Sequence, residues 1–145
     1  MTTYFEDMAV GETAEYGSYE VTEEEVLEFA EKYDPQPFHT DPEAAEESIY
    51  GGLIASGWHT CAMTMRLLVD GHYSDSAAMG AKGLEKLRFR RPVQPGDELS
   101  VRTEVLGKEA ESPERGVVRA RSETVNREGE VVLSMVSEVM YARRE

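Results

Sequence analysis

The stretch WHTCAMTMRLLV at residues 58–69 decides the fold that this sequence predicts. Its apolar side chains surround most of a helix instead of forming a stripe on one side, and a helix of that kind must be buried. Asp70 and Gly71 are expected to end it. Four segments with strand character follow, at residues 84–91, 99–109, 117–126 and 131–141. A buried helix before a run of long strands predicts an α+β domain in which a curled sheet wraps around the helix.

Turn sequences separate the four strands and set how they pair. They lie at residues 95–97, 112–113 and 126–129. Connections this short join neighbouring strands as antiparallel pairs. The sheet is therefore expected to be antiparallel, and residues 14–21 are expected to form a further strand earlier in the chain.

Two capping signals predict short helices between that first strand and the central helix. Thr22 and Glu25 have the spacing of a capping box, and apolar residues then recur at helical spacing, so a helix is predicted at residues 22–32. The Asp-Pro pair at residues 41–42 is typical of an N-cap and a first helical residue. A second short helix is therefore predicted through Glu47.

The length of 145 residues fits one domain that spans residues 1–145. No apolar run reaches membrane-spanning length, and the first residues lack a basic region followed by an apolar one. We therefore expect a soluble, cytoplasmic protein that does not bind a membrane. The single cysteine, Cys61, cannot form an internal disulfide and is expected to be an unreactive core thiol.

Negative charge is concentrated in the first third of the chain. The net charge is −14, and the first fifty residues hold fifteen Asp or Glu against one base, Lys32. Nucleic acid is not an expected partner, since phosphate binding requires the opposite charge. Two explanations of the acidity remain open. One is a solvated acidic helix face, and the other is adaptation to a salty host, to which eleven Arg against four Lys lend some support.

Residues 33–59 carry the candidate chemistry. Asp34 and His39 lie five positions apart with Pro35 and Pro37 between them, so the backbone there is expected to be stiff and mostly non-helical. An acid and an imidazole held in this way are candidates for general acid and base catalysis. Each also has a simpler explanation, because a lone Asp-Pro is commonly a turn and a lone loop His commonly makes a local hydrogen bond.

A glycine cluster leads from this segment into the central helix. Gly51 and Gly52 are followed by LIAS and then by Gly57, directly before the helix. Glycine amides at a helix N-terminus are suited to bind an oxyanion. The two remaining histidines do not belong to this pattern: His59 is expected to pack or to bond locally, and His72 to lie in a loop.

Three motifs carry a family resemblance: DPQPFHTD at residues 34–41, GGLIASGWH at 51–59 and LRFRRPVQPGD at 87–97. Over nearly the whole chain, the sequence resembles the MaoC-like, (R)-specific enoyl-CoA hydratases of the hot-dog fold. The resemblance implies a catalytic dyad of Asp34 and His39, a thioester carbonyl bound by the Gly57 amide, and an acyl-CoA thioester as the substrate. It implies no metal and no cofactor beyond the coenzyme A of the substrate itself.

Two positions depart from the family pattern. The family's usual Asn two residues after the Asp is Gln36 here, which keeps an amide with a longer reach. The His often found before the helix glycine is Ser56 here, and its hydroxyl is expected to contribute to the substrate-binding site.

A basic run in the third motif stands out in an acidic chain. Alternate residues of a strand share a face, so Arg88 and Arg90 are expected to project together, opposite Leu87 and Phe89. They belong either to a solvated outer face or to the site that binds the phosphates of coenzyme A. The resemblance further implies a homodimer or a higher homo-oligomer, in line with a curled sheet whose edge strand is unpaired.

The predicted function is hydration of an α,β-unsaturated acyl-CoA to a (3R)-3-hydroxyacyl-CoA, or the reverse dehydration. Asp34 and His39 would activate water, although the sequence does not say which of them accepts and which donates the proton. The Gly57 amide would stabilise the charge that builds on the thioester oxygen. The alternatives are a hot-dog acyl-CoA thioesterase and a non-catalytic acyl-CoA binding subunit in which the dyad only orders its loop.

Overall fold

The computed structural model describes residues 1–144, which form five strands and four α-helices. In chain order these are β1 (Thr13–Glu20), α1 (Glu23–Tyr33), α2 (Pro37–Thr40), α3 (Pro42–Glu46), α4 (Gly57–Gly71), β2 (Ala78–Phe89), β3 (Glu98–Ala110), β4 (Arg115–Val125) and β5 (Val131–Ala142). The strands form one sheet in the order β1-β3-β4-β5-β2, and every neighbouring pair is antiparallel. The sheet curls around α4, so the predicted α+β architecture is confirmed.

The helix α4 is capped at its start and packs one side against the sheet. The Ser56 hydroxyl accepts a hydrogen bond from the Trp58 amide at 3.3 Å, as an N-cap residue does. The helix ends at Gly71, as the sequence predicts. Its inner side chains share one core with strands β3 and β5, through Met63, Leu67, Leu68, Leu99, Val101 and Leu133.

The outer side of α4 is exposed, so the prediction that this helix is buried all round is wrong for the single chain. Trp58 is 63% exposed, Met65 46% and Val69 37%. The physical reason is that one sheet covers only the side of the helix that faces it. Despite this apolar outer side, no helix within residues 1–144 is long and apolar enough to cross a membrane.

The edge strand β2 begins at Ala78, six residues before the predicted start at Leu84. The early part of the strand is rich in Ala and Gly, so it has no apolar alternation to read. It still pairs with β5, where Ala81 lies opposite Val139 and Gly83 opposite Glu138. Edge-strand pairing uses backbone groups, which explains why the side chains did not reveal it.

The segment between Asp34 and His39 is more helical than predicted. Pro37 is the first residue of the helical turn α2, and the Asp41 amide donates to its carbonyl at 2.8 Å. Proline fits the first position of a helix, because its fixed φ is helical and no N–H is needed there. His39 therefore lies on a helical turn and not in an extended loop.

The helix α1 shows one half of the predicted capping box. The Thr22 hydroxyl accepts a hydrogen bond from the Glu25 amide at 3.2 Å, which confirms the predicted start. The Glu25 carboxylate turns instead to the Tyr19 hydroxyl of β1. Val26 and Ala30 are fully buried, so α1 packs its apolar side inward while most of its acidic residues face solvent.

Candidate active site

One cleft brings together the three predicted catalytic residues. It has a volume of about 340 Å³ and lies between the start of α4, the turn α2 and the end of β2. Asp34, His39 and Gly57 all line it. They come from three different elements, so only the fold places them side by side.

Asp34 caps the C-terminus of α1, where its amide donates to the Ala30 carbonyl at 2.8 Å. Its Oδ1 accepts a hydrogen bond from Gln36 Nε2 at 2.6 Å, and its Oδ2 accepts one from Ser56 Oγ at 2.7 Å. The bond from Gln36 is the largest cause that lowers the pKa of Asp34 below its ordinary value, and the Ser56 bond adds to it against the opposing effect of burial. The carboxyl group is therefore ionised at neutral pH.

His39 is buried, and its surroundings define which nitrogen faces the cleft. Its Nδ1 lies 2.8 Å from the Ile54 carbonyl oxygen. Because a carbonyl oxygen only accepts, Nδ1 carries the proton in the neutral ring. Nε2 then presents a lone pair, 3.5 Å from Asp34 Oδ2. Two acceptors this close are suited to hold a donor such as water.

Gly57 is the first residue of α4, so its N–H has no carbonyl within the helix to bind. The positive end of the helix dipole adds to its attraction for an anionic oxygen. A side chain at this position would collide with Phe89, because a Cβ built on Gly57 lies 2.7 Å from two atoms of that ring. The Phe89 ring therefore occupies the space beside Gly57, and a larger residue here would have to displace that ring.

The other two glycines of the cluster take no part in the cleft. Gly51 and Gly52 lie in the turn after α3, and the Gly51 amide donates to the Ser48 carbonyl at 3.1 Å. Their position corrects the expectation that several glycine amides of this cluster form one oxyanion site. Within the described chain, Gly57 alone of the three lines the cleft.

Ser56 holds the Asp34 carboxylate without lining the cleft itself. It is fully buried, and its hydroxyl donates to Asp34 Oδ2 while accepting from the Trp58 amide. It does not belong to the cleft lining within residues 1–144. The expected contact of Ser56 with substrate is therefore replaced by a role in holding the Asp34 carboxylate.

The structure places Arg90, but not Arg88, at the cleft. Strand β2 ends at Phe89, and the amides of Arg90 and Arg91 both donate to the Val132 carbonyl. Phe89, Arg90 and Arg91 line the cleft, whereas Arg88 is not among its residues in the described part of the chain. That Arg88 and Arg90 project together stays a prediction, and the arginines at the cleft are Arg90 and Arg91.

Aromatic and aliphatic side chains complete the lining, and the sequence reasoning did not single them out. They include Phe38, Tyr50, Ile54, Trp58, Phe89 and Val132. Phe38 and Trp58 each adjoin a predicted site residue in sequence, and that adjacency is a signal that would have found them. Val132 offers no such signal, because it lies on β5 and reaches the cleft only through the fold.

A larger depression of about 470 Å³ lies on the outer face of the sheet, away from the dyad. Val101 points into the core, so its neighbour Arg102 points outward. Arg102 pairs with Glu123 at 2.8 Å, and Arg121 pairs with Glu104. These ion pairs use four of the five charged residues that line the depression, and the depression lies on an open sheet face, so the smaller cleft remains the candidate site.

Comparisons with known proteins agree with the fold and the motifs. A family model described as the MaoC like domain matches residues 6–127. A MaoC-like dehydratase from Rhodospirillum rubrum is 41% identical, and its crystal structure superposes with a TM-score of 0.90 over 98% of both chains. The R-hydratase PhaJ1 from Pseudomonas aeruginosa is 28% identical with a TM-score of 0.79, over 99% of this chain and 88% of that one.

A similar match is found among curated proteins. The 3-hydroxyacyl-thioester dehydratase Z of Mycobacterium tuberculosis is 34% identical over 121 residues, which cover 81% of this chain and 79% of that protein. With the family model matching most of the chain, and with a curled antiparallel sheet around a central helix, the protein has the hot-dog fold and belongs to the MaoC-like dehydratase domain family.

Proposed function

We propose that this protein hydrates α,β-unsaturated acyl-CoA thioesters to (3R)-3-hydroxyacyl-CoA and catalyses the reverse dehydration. The observation that carries the proposal is the convergence of Asp34, His39 and Gly57 on one cleft. The names of two relatives, a 3-hydroxyacyl-thioester dehydratase and an R-hydratase, support the same class of reaction.

The proposed nucleophile is a water molecule held by Asp34 Oδ2 and His39 Nε2, two acceptors 3.5 Å apart. Water donates a hydrogen to each of them, which leaves a lone pair of its oxygen for the substrate. An imidazole is a stronger base than a carboxylate, and hydrogen bonds lower the pKa of Asp34 further. We therefore assign proton acceptance to His39 and orientation of the water to Asp34.

The bond changes balance without another reactant. The water oxygen bonds to C3 while the π bond between C2 and C3 breaks, and negative charge moves to the thioester oxygen. His39 takes a proton from the water and delivers it to C2. The Gly57 N–H donates to the thioester oxygen while that oxygen is charged, and losing a donor of this kind typically costs about 3 to 4 kcal/mol.

Coenzyme A is proposed to bind at the arginine side of the cleft. Arg90 is held by a bond from its Nε to Ser134 Oγ at 3.0 Å. Its other two guanidinium nitrogens have no hydrogen-bond partner within residues 1–144, so they are available to reach a phosphate. Arg91 lies 3.4 Å from Glu130 in a pair whose side chains are both about half exposed. Exposed ion pairs are weak, so a phosphate is able to displace the Glu130 carboxylate.

We further propose a homodimer in which a second copy covers the apolar surface beside the cleft. Strand β2 is an edge strand that exposes Met79, Leu84 and Phe89, and α4 exposes Trp58 and Met65. Apolar side chains exposed along a sheet edge are typical of an interface between subunits. Trp58 and Phe89 also line the cleft, so the second copy would close the cleft on that side.

The test is an assay that separates hydration from hydrolysis. Purified protein is mixed with crotonyl-CoA, and the enoyl-thioester absorbance and the free thiol are followed in parallel. We expect the absorbance to fall without release of free thiol. We also expect chiral analysis to identify the product as the R enantiomer. Thiol release at the rate of absorbance loss would indicate the thioesterase alternative. No change with crotonyl-CoA or longer enoyl-CoAs would indicate a non-catalytic subunit.

A further inference from the structure

We propose that His59, together with Glu25, is a positioning residue that holds α1 against α4 and so keeps Asp34 in place at the cleft. The proposal rests on the function proposed above, because it concerns the geometry of that site. It gives a role to a buried histidine that lies two positions after Gly57 and does not line the cleft within the described residues.

The contacts of His59 join three elements of the fold. Its ring stacks on Phe29 of α1, with ring centroids 4.7 Å apart and 7° between the ring planes. Its Nε2 lies 3.4 Å from Oε1 of Glu25, also on α1. The Tyr19 hydroxyl of β1 donates to the same carboxylate oxygen. One carboxylate thus links β1, α1 and α4.

At neutral pH the network has two donors, the His59 ring and the Tyr19 hydroxyl, and one acceptor, the Glu25 carboxylate. Burial lowers the pKa of His59, although Glu25 acts in the opposite direction, so the ring is neutral at neutral pH. A neutral ring carries one N–H, and Nε2 is the nitrogen that has a carboxylate to donate to. Burial and the Glu25 carboxylate raise the pKa of Tyr19 to about 12, so its hydroxyl keeps the proton that it donates.

Packing alone does not explain a histidine at position 59, because a buried polar ring lowers stability. Only 3% of it is exposed, and its Nδ1 has no hydrogen-bond partner among residues 1–144. An unsatisfied buried nitrogen lowers stability, so an apolar side chain of similar size would fill the space at a smaller cost. A polar network placed here favours a role in fixing one arrangement of the two helices.

The network lies where a shift between the helices would reach the chemistry. Asp34 ends α1, so it moves with that helix. Ser56 and Gly57 begin α4, less than one turn before His59. A displacement of α1 along α4 therefore changes the 2.7 Å bond between Ser56 Oγ and Asp34 Oδ2 directly. Misplacement of a reacting group by about 1 Å is enough to slow a reaction severely.

The test compares His59→Phe with a matched control at the other end of the same helix. His59→Phe keeps the aromatic stack on Phe29 and removes the bond to Glu25. The control is His72→Phe, which removes a half-buried histidine whose Nε2 lies 2.8 Å from the Tyr141 hydroxyl. Thermal unfolding, kcat and KM with crotonyl-CoA, and the Asp34 pKa are measured for both variants and the wild type.

His59→Phe is expected to lower kcat about tenfold with KM nearly unchanged, because His59 does not contact the cleft. It is also expected to raise the Asp34 pKa toward the ordinary value, because the Ser56 bond is weakened. His72→Phe is expected to lower stability while leaving kcat and the Asp34 pKa as in the wild type. His59→Gln keeps a donor for Glu25 and should recover most of kcat.

The Asp34 pKa is followed by the ¹³C shift of its carboxyl group in the free protein, so this readout does not require turnover. The same kcat and Asp34 pKa in His59→Phe as in His72→Phe would overturn the positioning role, even in an active hydratase. If the wild type has no hydratase activity but His59→Phe still raises the Asp34 pKa, the proposed function is refuted and the positioning role of His59 is supported. If His59→Phe does not fold, Glu25→Gln is expected to show the same loss of kcat, and wild-type behaviour of that variant would overturn the role.

Discussion

At the scale of single residues, Gln36 controls the acidity of Asp34 from outside the cleft. Gln36 is exposed, and its hydrogen bond is the largest cause of the lowered pKa. Gln36→Met removes this donor, so the pKa of Asp34 is expected to rise. The carboxyl group stays ionised at neutral pH, so kcat/KM at neutral pH is expected to change little. The measurement is the ¹³C shift of the Asp34 carboxyl group as the pH is lowered.

The same substitution has a consequence for stability with a defined sign. A carboxyl group whose folded pKa is lowered contributes stability above its ordinary pKa, and this contribution is lost as the pH falls through the folded value. Gln36→Met is therefore expected to lower stability at neutral pH but not in acid below the folded pKa of Asp34. The control is Gln94→Met, at an exposed glutamine outside the cleft. An Asp34 pKa that is the same in Gln36→Met as in the wild type would contradict the role of this side chain.

Gly57→Ala tests how closely the Phe89 ring approaches the start of α4. The added Cβ would lie 2.7 Å from atoms of the Phe89 ring, and this ring is exposed enough to swing aside. The displaced ring changes the shape of the cleft, so kcat/KM is expected to fall about tenfold although the amide is still present. In a Phe89→Ala background the same change should cost much less. A double-mutant cycle in kcat/KM measures the coupling, and strict additivity would argue against the contact.

That Asp34 and His39 lie close together could be predicted, because both belong to one short motif. The hydrogen bond from Ser56 to Asp34 could not be predicted, since Ser56 is 22 positions away and reaches the carboxylate only in the folded chain. The sequence also did not distinguish Arg90, which lines the cleft, from Arg88, which is not among its residues within 1–144, because both lie on the same predicted strand.

At the scale of elements, one buried hydrogen bond ties α4 to the sheet. The hydroxyls of Thr64 and Thr124 are 2.6 Å apart, and both residues are completely buried. Thr64→Val leaves the Thr124 hydroxyl unpaired in the core, so stability is expected to fall by roughly 1 to 3 kcal/mol. The double variant Thr64→Val/Thr124→Val removes both groups and should be more stable than Thr64→Val. Urea denaturation of the three proteins checks this, and a double variant less stable than Thr64→Val would contradict it.

The start of a helix could be predicted from the sequence where a capping residue marks it. Ser56, Thr22 and Asp41 cap their helices through their own side chains, and the last two of these helix starts were predicted from such residues. The early part of β2 has no such signal, because it is held by backbone pairing with β5. Pro37 was misinterpreted because proline interrupts a helix in its interior but suits its first residue.

At the scale of the whole molecule, the curled sheet and its central helix were predictable, but the part of α4 left exposed was not. That side of α4 and strand β2 form the surface where a second copy is proposed to bind. Met79→Glu/Leu84→Glu places two charges on exposed positions of β2, so the single chain should still fold. Light scattering is expected to give twice the mass of one chain for the wild type and the mass of one chain for the variant.

The control for the dimer is Val10→Glu, at an exposed apolar residue outside β2 and α4, which should keep the mass of the wild type. A wild type that has the mass of one chain would refute the dimer. A β2 variant that keeps the wild-type mass would show that another surface forms the contact.

The most direct test of the catalytic cleft compares two aspartates of the same motif. Asp34→Asn removes the proposed water-orienting carboxylate, whereas Asp41→Asn changes a carboxylate that caps α3. The measurement is kcat/KM for hydration of crotonyl-CoA. Asp34→Asn is predicted to lose about 10²- to 10⁴-fold and Asp41→Asn to stay close to the wild type, since Asn also caps helices well. Equal rates for Asp34→Asn and the wild type would contradict the account.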